Sequence, residues 1–153
     1  MNIVKEPSKI LHQRLKEVKE ITPEITELIS AMKKQMKESS GVGLAANQVG
    51  EDLQIFVIEP NLAKENNVPD AYINPEITDR SRDTTPMEEG CLSLPDYWAE
   101  IHRSKKIQIK ALDENGKKVR FKARGFLARV LQHEYDHLNG VLIKDKTATK
   151  RSG

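Results

Sequence analysis

Apolar residues recur along this chain at two periods, and the changes of period mark its elements. Ile25, Leu28, Ile29, Met32 and Met36 keep helical spacing, with Lys, Gln and Glu between them. Thr22 suits the cap of this helix, Pro23 its first turn and Glu24 its positive end. The pattern runs out between residues 37 and 40. Before it, Ile10, Leu11, Leu15 and Val18 suggest one short helical face behind an extended arm that contains Pro7. Residues 53–58 form an apolar run that reads as a buried strand. Residues 60–69 read as a polar loop, 71–74 as a short strand stopped at Pro75 and resumed near Ile77, and 79–86 as a charged turn. Residues 88–95 alternate in β fashion. Residues 106–111 and 118–123 alternate around Asp113-Glu114-Asn115-Gly116, and Asn-Gly between two alternating runs is a strong hairpin signal. The hairpin's lysines read as a solvated face. A helical apolar run follows Gly125, and residues 144–153 are polar and expected to fray. The whole predicts an α+β fold in one domain over residues 1–153. Antiparallel strands pack around the late apolar helix, with the helix at 23–38 outside and a disordered tail at about 147–153.

A chain of 153 residues buries roughly two thirds of its unfolded surface, enough for one core and a pocket. Lys and Arg number 25 and Asp and Glu 23, a net of +2. That balance argues against nucleic acid as the main partner and predicts no DNA binding. The first seven residues carry no apolar signal core, and no stretch approaches the roughly 20 apolar residues of a membrane span. Cys91 is the single cysteine, so no internal disulfide forms, and the expected location is a reducing cytoplasm. Taken alone, such a thiol reads as a small core residue.

The chemistry concentrates late in the chain. Gln132-His133-Glu134-Tyr135-Asp136-His137-Leu138 contains H-E-x-x-H within the apolar helical run. At about 100° per residue, His133 and His137 share a face one turn apart and can hold one divalent cation. Glu134 lies near enough to reach a water on that cation. By itself the motif reads equally as a helix with two half-exposed histidines, because a metal site needs a further ligand. Cys91 can supply it. One thiolate and two imidazoles leave a fourth tetrahedral position open, which is the catalytic rather than the structural pattern. His12 and His102 lack ligand spacing and read as surface or locally hydrogen-bonded residues. An HExxH peptidase would need a His or Glu ligand after His137, where none occurs. Residues 41–46 formally match the dinucleotide fingerprint, but they leave a helix and lead to a strand, the reverse of the order that fingerprint requires. A glycine-rich loop here lets a ligand approach the backbone closely, and Gln48 offers an amide donor.

Three segments now carry a resemblance. Gly41-Val42-Gly43-Leu44-Ala45-Ala46-Asn47-Gln48, Glu89-Gly90-Cys91-Leu92-Ser93 and Gln132-His133-Glu134-Tyr135-Asp136-His137-Leu138-Asn139-Gly140 resemble, in order and separation, the three signatures of the peptide deformylases. The resemblance covers residues 41–140. It implies a metal-dependent hydrolase that removes the formyl group from the formylmethionine of nascent polypeptides and releases formate. Cys91, His133 and His137 would hold one divalent ion, Fe(II) in most of the family, with Zn, Ni or Co able to replace it. Glu134 would take a proton from the attacking water and return it to the leaving amine. Gln48 and the backbone N–H of Leu92 would stabilise the oxyanion. The backbone at Gly43 and Gly90 would hold the peptide extended, and Val42, Glu89 and Val130 would receive the methionine side chain. An inactive metal-binding homologue associated with ribosomes is the alternative; it would be expected to lack Glu134 or Gln48, and both are present.

The chain departs from the resemblance in two places. Many bacterial members carry an arginine where this chain has Trp98, which reads either as packing against the methionine or the next residue or, equally, as an ordinary half-buried aromatic. Many also continue into a helix used for ribosome docking, whereas this chain stops soon after Lys146. At most a weak ribosome contact through Lys144, Lys146, Lys150 and Arg151 is expected. Arg129, on the apolar helix, is expected to point outward, and Asp136 to brace the helix through an arginine.

Overall fold

The computed structural model describes the backbone of residues 1–152 and the side chains of residues 1–147. Among the described residues, a five-stranded sheet takes the order β1 (Gly43–Ala45), β2 (Ile55–Ile58), β3 (Ala71–Arg80), β6 (Lys106–Leu112), β7 (Lys118–Arg124). A two-stranded sheet pairs β4 (Thr84–Cys91) with β5 (Leu94–Ser104), and every pairing is antiparallel. The expected hairpin is β6–β7, in register from Lys106 opposite Arg124 to Leu112 opposite Lys118. The chain is a mixed α/β fold with antiparallel sheets.

Helix α3 (Gly125–Leu138) packs against strands of both sheets and buries Leu127, Ala128, Val130, Leu131 and Leu138. Each such large aliphatic side chain contributes about 1.5–3 kcal/mol by leaving water. That burial holds the helix in one place, and the helix carries the H-E-x-x-H residues. Helix α1 (Pro23–Glu38) begins where Thr22 Oγ1 accepts from the Ile25 N–H at 3.3 Å, and it lays Ile29, Met32 and Met36 on β1 and β2.

Several sequence expectations are corrected. Leu15 and Val18 do not continue a helical face: a short 3-10 turn, Lys9–His12, gives way to an extended arm in which both are buried. Strand β3 does not stop at Pro75. Asn74 adopts φ +51, and its amide bonds both backbone groups of Val18 at 2.8 Å. The register shifts there and the strand continues, so the missing N–H of Pro75 is accommodated at a bulge. Residues 60–69 are not all loop. Helix α2 (Pro60–Glu65) starts where the Glu59 carboxylate accepts from the Leu62 N–H at 2.8 Å. At six residues it is too short to show a period. Finally, α4 (Ile143–Ser152) begins where a frayed tail was expected. Ile143 is buried, and Asp145 accepts from the Leu142 N–H at 2.9 Å. The expected disorder at 147–153 falls largely on side chains outside the described residues. No helix among the described residues is long and apolar enough to cross a membrane.

Candidate active site

Three elements converge on one point. Cys91 ends β4, where the strand turns through Leu92 and Ser93 into β5. His133 and His137 project from α3 one turn apart, and Gln48 lies in a 3-10 turn, Ala46–Val49, directly after β1. The Sγ of Cys91 is 3.3 Å from His137 Nε2, which is 3.3 Å from His133 Nε2. The ligand atoms of all three residues lie within 4.8 Å of one another. Two imidazole nitrogens and a sulfur facing one another across this space fit a shared divalent cation, which needs such a set of convergent soft and borderline donors.

The histidines are aimed by what lies behind them. His133 Nδ1 meets Glu89 Oε1 at 2.9 Å, which leaves Nε2 facing Cys91 and His137. Glu89 is gripped by the Arg103 fork at 2.7 and 2.9 Å and by Arg129. Arg103 also donates to Asp136 at 2.8 Å. Arg103, Glu89 and Arg129 are each under one tenth exposed, so this is a buried network whose charges compensate one another. Burial raises the Glu89 carboxyl, but the His133 and Arg103 partners outweigh it and hold the group well below the usual carboxylate range. Burial pulls His133 down, but Cys91 and Glu89 beside it, with the Glu134 charge, raise it to about 10. Burial and the charge on His133 hold His137 well below its ordinary value, as a neutral imidazole. Burial pushes Glu134 up to about 7 against the opposing charges of His133 and Arg103. Its Oε1 is buried without a protein partner, so a site is left for a reacting proton.

Gln48 is buried and fixed at both ends of its amide. Its Oε1 accepts from the Ala45 N–H at 3.0 Å, and its Nε2 faces Ser93 Oγ at 3.1 Å and Cys91 Sγ at 3.5 Å. The donor is therefore preorganised beside the thiol. A cavity of about 490 Å³ opens from this centre, lined by Val42, Gly43, Glu89, Gly90, Leu92, Trp98, Phe126 and Val130 among others. Two glycines let its walls close. A Cβ on Gly43 would lie 2.5–2.8 Å from the Glu134 side chain, and one on Gly90 would lie 2.7–2.9 Å from the Trp98 ring. Trp98 is 65% exposed and covers Gly90 at the rim.

The sequence-predicted site residues line this cavity except His137, which meets Cys91 and His133 at its inner end, and two residues differ in role from expectation. Arg129 does not point outward. It is 6% exposed and donates to Glu89, to the Ile101 carbonyl at 3.1 Å and to the Thr85 carbonyl at 2.6 Å. Glu89 borders the cavity, but its carboxylate is taken by the two arginines and His133. Arg103, Ser93 and the His137-bracing Asn47, whose Nδ2 donates to the His137 carbonyl at 2.7 Å, were not picked out. Arg103 had a signal. Ala99, Ile101 and Arg103 alternate with Glu100, His102 and Ser104, so the arginine shares the buried face of its strand. At the chain's end, Lys144 pairs with Glu6 at 3.0 Å and Lys146 with Asp136 at 3.3 Å, so two of the four cations expected to touch RNA have partners within the molecule. Lys150 and Arg151 lie outside the described side chains.

The family model for polypeptide deformylase matches residues 1–152. The chain belongs to the polypeptide deformylase family. A peptide deformylase of Psychrobacter cryohalolentis is 44% identical over 128 residues, covering 84% of this chain and 68% of that relative. One of Thermodesulfovibrio yellowstonii is 40% identical over 146 residues, covering 95% and 88%. The crystal structure of the Thermotoga maritima peptide deformylase superposes with a TM-score of 0.88 at 41% identity, covering 95% of each chain. That of Synechococcus elongatus, in complex with actinonin, has a TM-score of 0.88 at 37% identity, covering 95% of this chain and 78% of that one. Peptide deformylases are enzymes, and this family member is one.

Proposed function

We propose that this chain hydrolyses the formyl amide of formylmethionine at the amino end of new polypeptides. The convergence of Cys91, His133 and His137 beside buried Glu134, at the foot of a largely apolar cavity, is the observation that carries this reading. A divalent ion held by these three residues, Fe(II) or Zn by the donor set and Ni or Co as substitutes, supplies Lewis-acid polarisation and acidifies a water. Glu134 takes a proton from the attacking water and passes it to the amide nitrogen as the C–N bond breaks, so one formyl amide and one water become formate and a free amine. A carboxyl near neutrality suits a group that must serve as base and then as acid. The Gln48 amide and the Leu92 N–H donate to the oxygen that gains charge. Fixed donors of this kind, in a buried site, stabilise the transition state more than the substrate.

The peptide lies along β1. That strand is at the sheet edge, so its backbone can pair with an extended segment, and Gly90 offers backbone on the opposite wall. Val42, Val130, Phe126 and the methylenes of Glu89 receive the methionine side chain, while Trp98 stands where the following residue leaves the site. The test loads metal-free protein anaerobically with Fe(II) or Zn(II) and follows formate release from formyl-Met-Ala-Ser. Release with Fe(II) that collapses in Glu134→Ala is expected. Tight metal binding without release from either form would instead favour the inactive homologue.

A further inference from the structure

We propose that the outward face of the β6–β7 hairpin docks this protein on an RNA phosphate backbone. The two strands pair Lys106 with Arg124, Lys110 with Arg120 and Gln108 with Lys122, and Lys118 follows opposite Leu112. All six cations are exposed, whereas Ile107, Ile109, Ala111 and Ala123 on the reverse of the same strands are buried in the core. Like charges set directly opposite on a sheet face destabilise it, and here two such pairs share one face with Gln108 opposite Lys122 between them. Lys110 has Glu76 at 3.1 Å, but among the described residues no carboxylate comes within ion-pair distance of Lys106, Lys118, Arg120, Lys122 or Arg124. Six cations against Glu76 and Asp79 leave this face at +4, while the whole chain sums to +2. The remainder of the molecule is net acidic. The overall balance of charge therefore hides a local concentration, and the solvated-face reading of these lysines does not explain why it stands opposite itself.

The shape selects the partner. The β7 row of Lys118, Arg120, Lys122 and Arg124 runs roughly 20 Å with a cation about every 6.8 Å, while on β6 Lys106 and Lys110 stand about 13.6 Å apart with Gln108 between them; the rows lie about 5 Å apart. Arg120 and Arg124 supply planar forks that take phosphate oxygens in pairs. No aromatic side chain and only half-buried Leu112 faces outward, so the surface offers neither a stacking platform for bases nor an anchor for a bilayer. It reads backbone, not sequence. Gln108 lies between Lys106 and Lys110 and opposite Lys122. Its amide can donate to and accept from a 2′-hydroxyl, which is the group that distinguishes RNA from DNA. Phe126 at the cavity wall follows Arg124 by two residues, so the end of the cationic face lies close to the cavity.

Fluorescence anisotropy of the full chain with a labelled two-turn RNA duplex, titrated between about 50 and 200 mM salt, tests this. The parent is expected to bind, with log K falling linearly against log salt. Arg120→Glu/Lys122→Glu should bind at least about tenfold more weakly and lose about 1.8 from the slope, at roughly 0.9 per phosphate. Lys34→Glu/Lys37→Glu on α1, with the same change of charge, should bind like the parent. The melting temperature of the hairpin variant should stay or rise, because repulsion has been removed, and formate release from a short formylated peptide should not change. DNA of the same sequence should bind more weakly, and Gln108→Ala should erase that difference. No binding by the parent at the low-salt end, or equal loss in both double variants, overturns the proposal. So does equal binding of RNA and DNA by the parent, or binding to anionic vesicles or an acidic peptide in place of RNA. The binding assay stands whether or not formate is released.

Discussion

Gly43→Ala separates the catalytic role of Glu134 from its mere presence. Gly43 needs no positive φ, so alanine suits its backbone. The new Cβ, however, would lie 2.5 Å from Glu134 Oε2 and 2.8 Å from its Cγ and Cδ, where ordinary contact begins at 3.4 Å. One partner must therefore give way by about 0.6–0.9 Å, as the same contact distances require. The side chain of Glu134 is buried and cannot swing into water, so its carboxylate shifts within the site. A misplacement of about 1 Å in a reacting group costs on the order of 100-fold in rate, or about 2.7 kcal/mol of barrier. Overpacking costs the fold about 1–3 kcal/mol, and the stiffer unfolded chain offsets about 0.4–1 kcal/mol. A drop of a few degrees in Tm is expected, not unfolding. The assay is single-turnover formate release alongside metal content by atomic absorption and a thermal melt. The expected result is kcat down about 100-fold with metal content unchanged. A kcat within twofold of the parent, in a folded and metallated protein, would refute the argument that Glu134 acts from the position seen here.

Four further outcomes follow from the same geometry. Gln48→Ala should lower kcat by about 10²–10³ with little change in KM; an equal rise in KM and no fall in kcat would show that Gln48 only binds substrate. Arg103→Ala leaves the Glu89 and Asp136 carboxylates short of their buried partner and should cost about 3–5 kcal/mol, visible as a fall in Tm of roughly 6–20 °C. Trp98→Ala should raise KM and leave kcat in place, and Gly90→Ala should do likewise by displacing the ring. If Trp98 is the cause, the double variant should be no worse than Trp98→Ala alone. Metal binding should tighten as pH rises. His133 holds its proton up to about 10 in the metal-free protein, and a ligand nitrogen must be free of it, so binding displaces a proton across neutral pH. Chelator competition from about pH 6 to 8.5 should show an apparent association constant rising up to about tenfold per unit. A constant that does not move with pH would contradict the protonation assigned to His133.

Much of the fold could be read from local pattern because local pattern is where the physics acts. The helix at Pro23–Glu38 follows from its cap, its proline and its 3.6 period, and the β6–β7 hairpin follows from Asn115-Gly116 between alternating strands. Two short elements carry no such pattern. Neither Gly43–Ala45 nor Pro60–Glu65 is long enough to show a period. The continuation of β3 through Pro75 was equally invisible, since it depends on Asn74 bonding Val18, a residue 56 positions away.

The candidate site divides in the same way. H-E-x-x-H on one helix fixes the spacing of His133 and His137 by covalent geometry alone, so sequence determines it. The thiol of Cys91 offers a third donor in sequence, but the residues of the wall rest on the resemblance, and their meeting with Cys91 on a cavity that exists only when β4, β1 and α3 come together. Arg129 shows the limit most plainly. On an apolar helix an arginine suggests solvent, because burying an unpaired charge is costly. Only the tertiary structure brings Glu89 and the Thr85 and Ile101 carbonyls to meet it. The cationic face is the converse case: each lysine of the hairpin is ordinary in sequence, and only the cross-strand register sets like charge against like. Sequence determined what each segment tends to form and which groups one helix turn holds together. Which distant charges neutralise or confront one another was decided by packing, because such pairings depend on distances that no local period encodes.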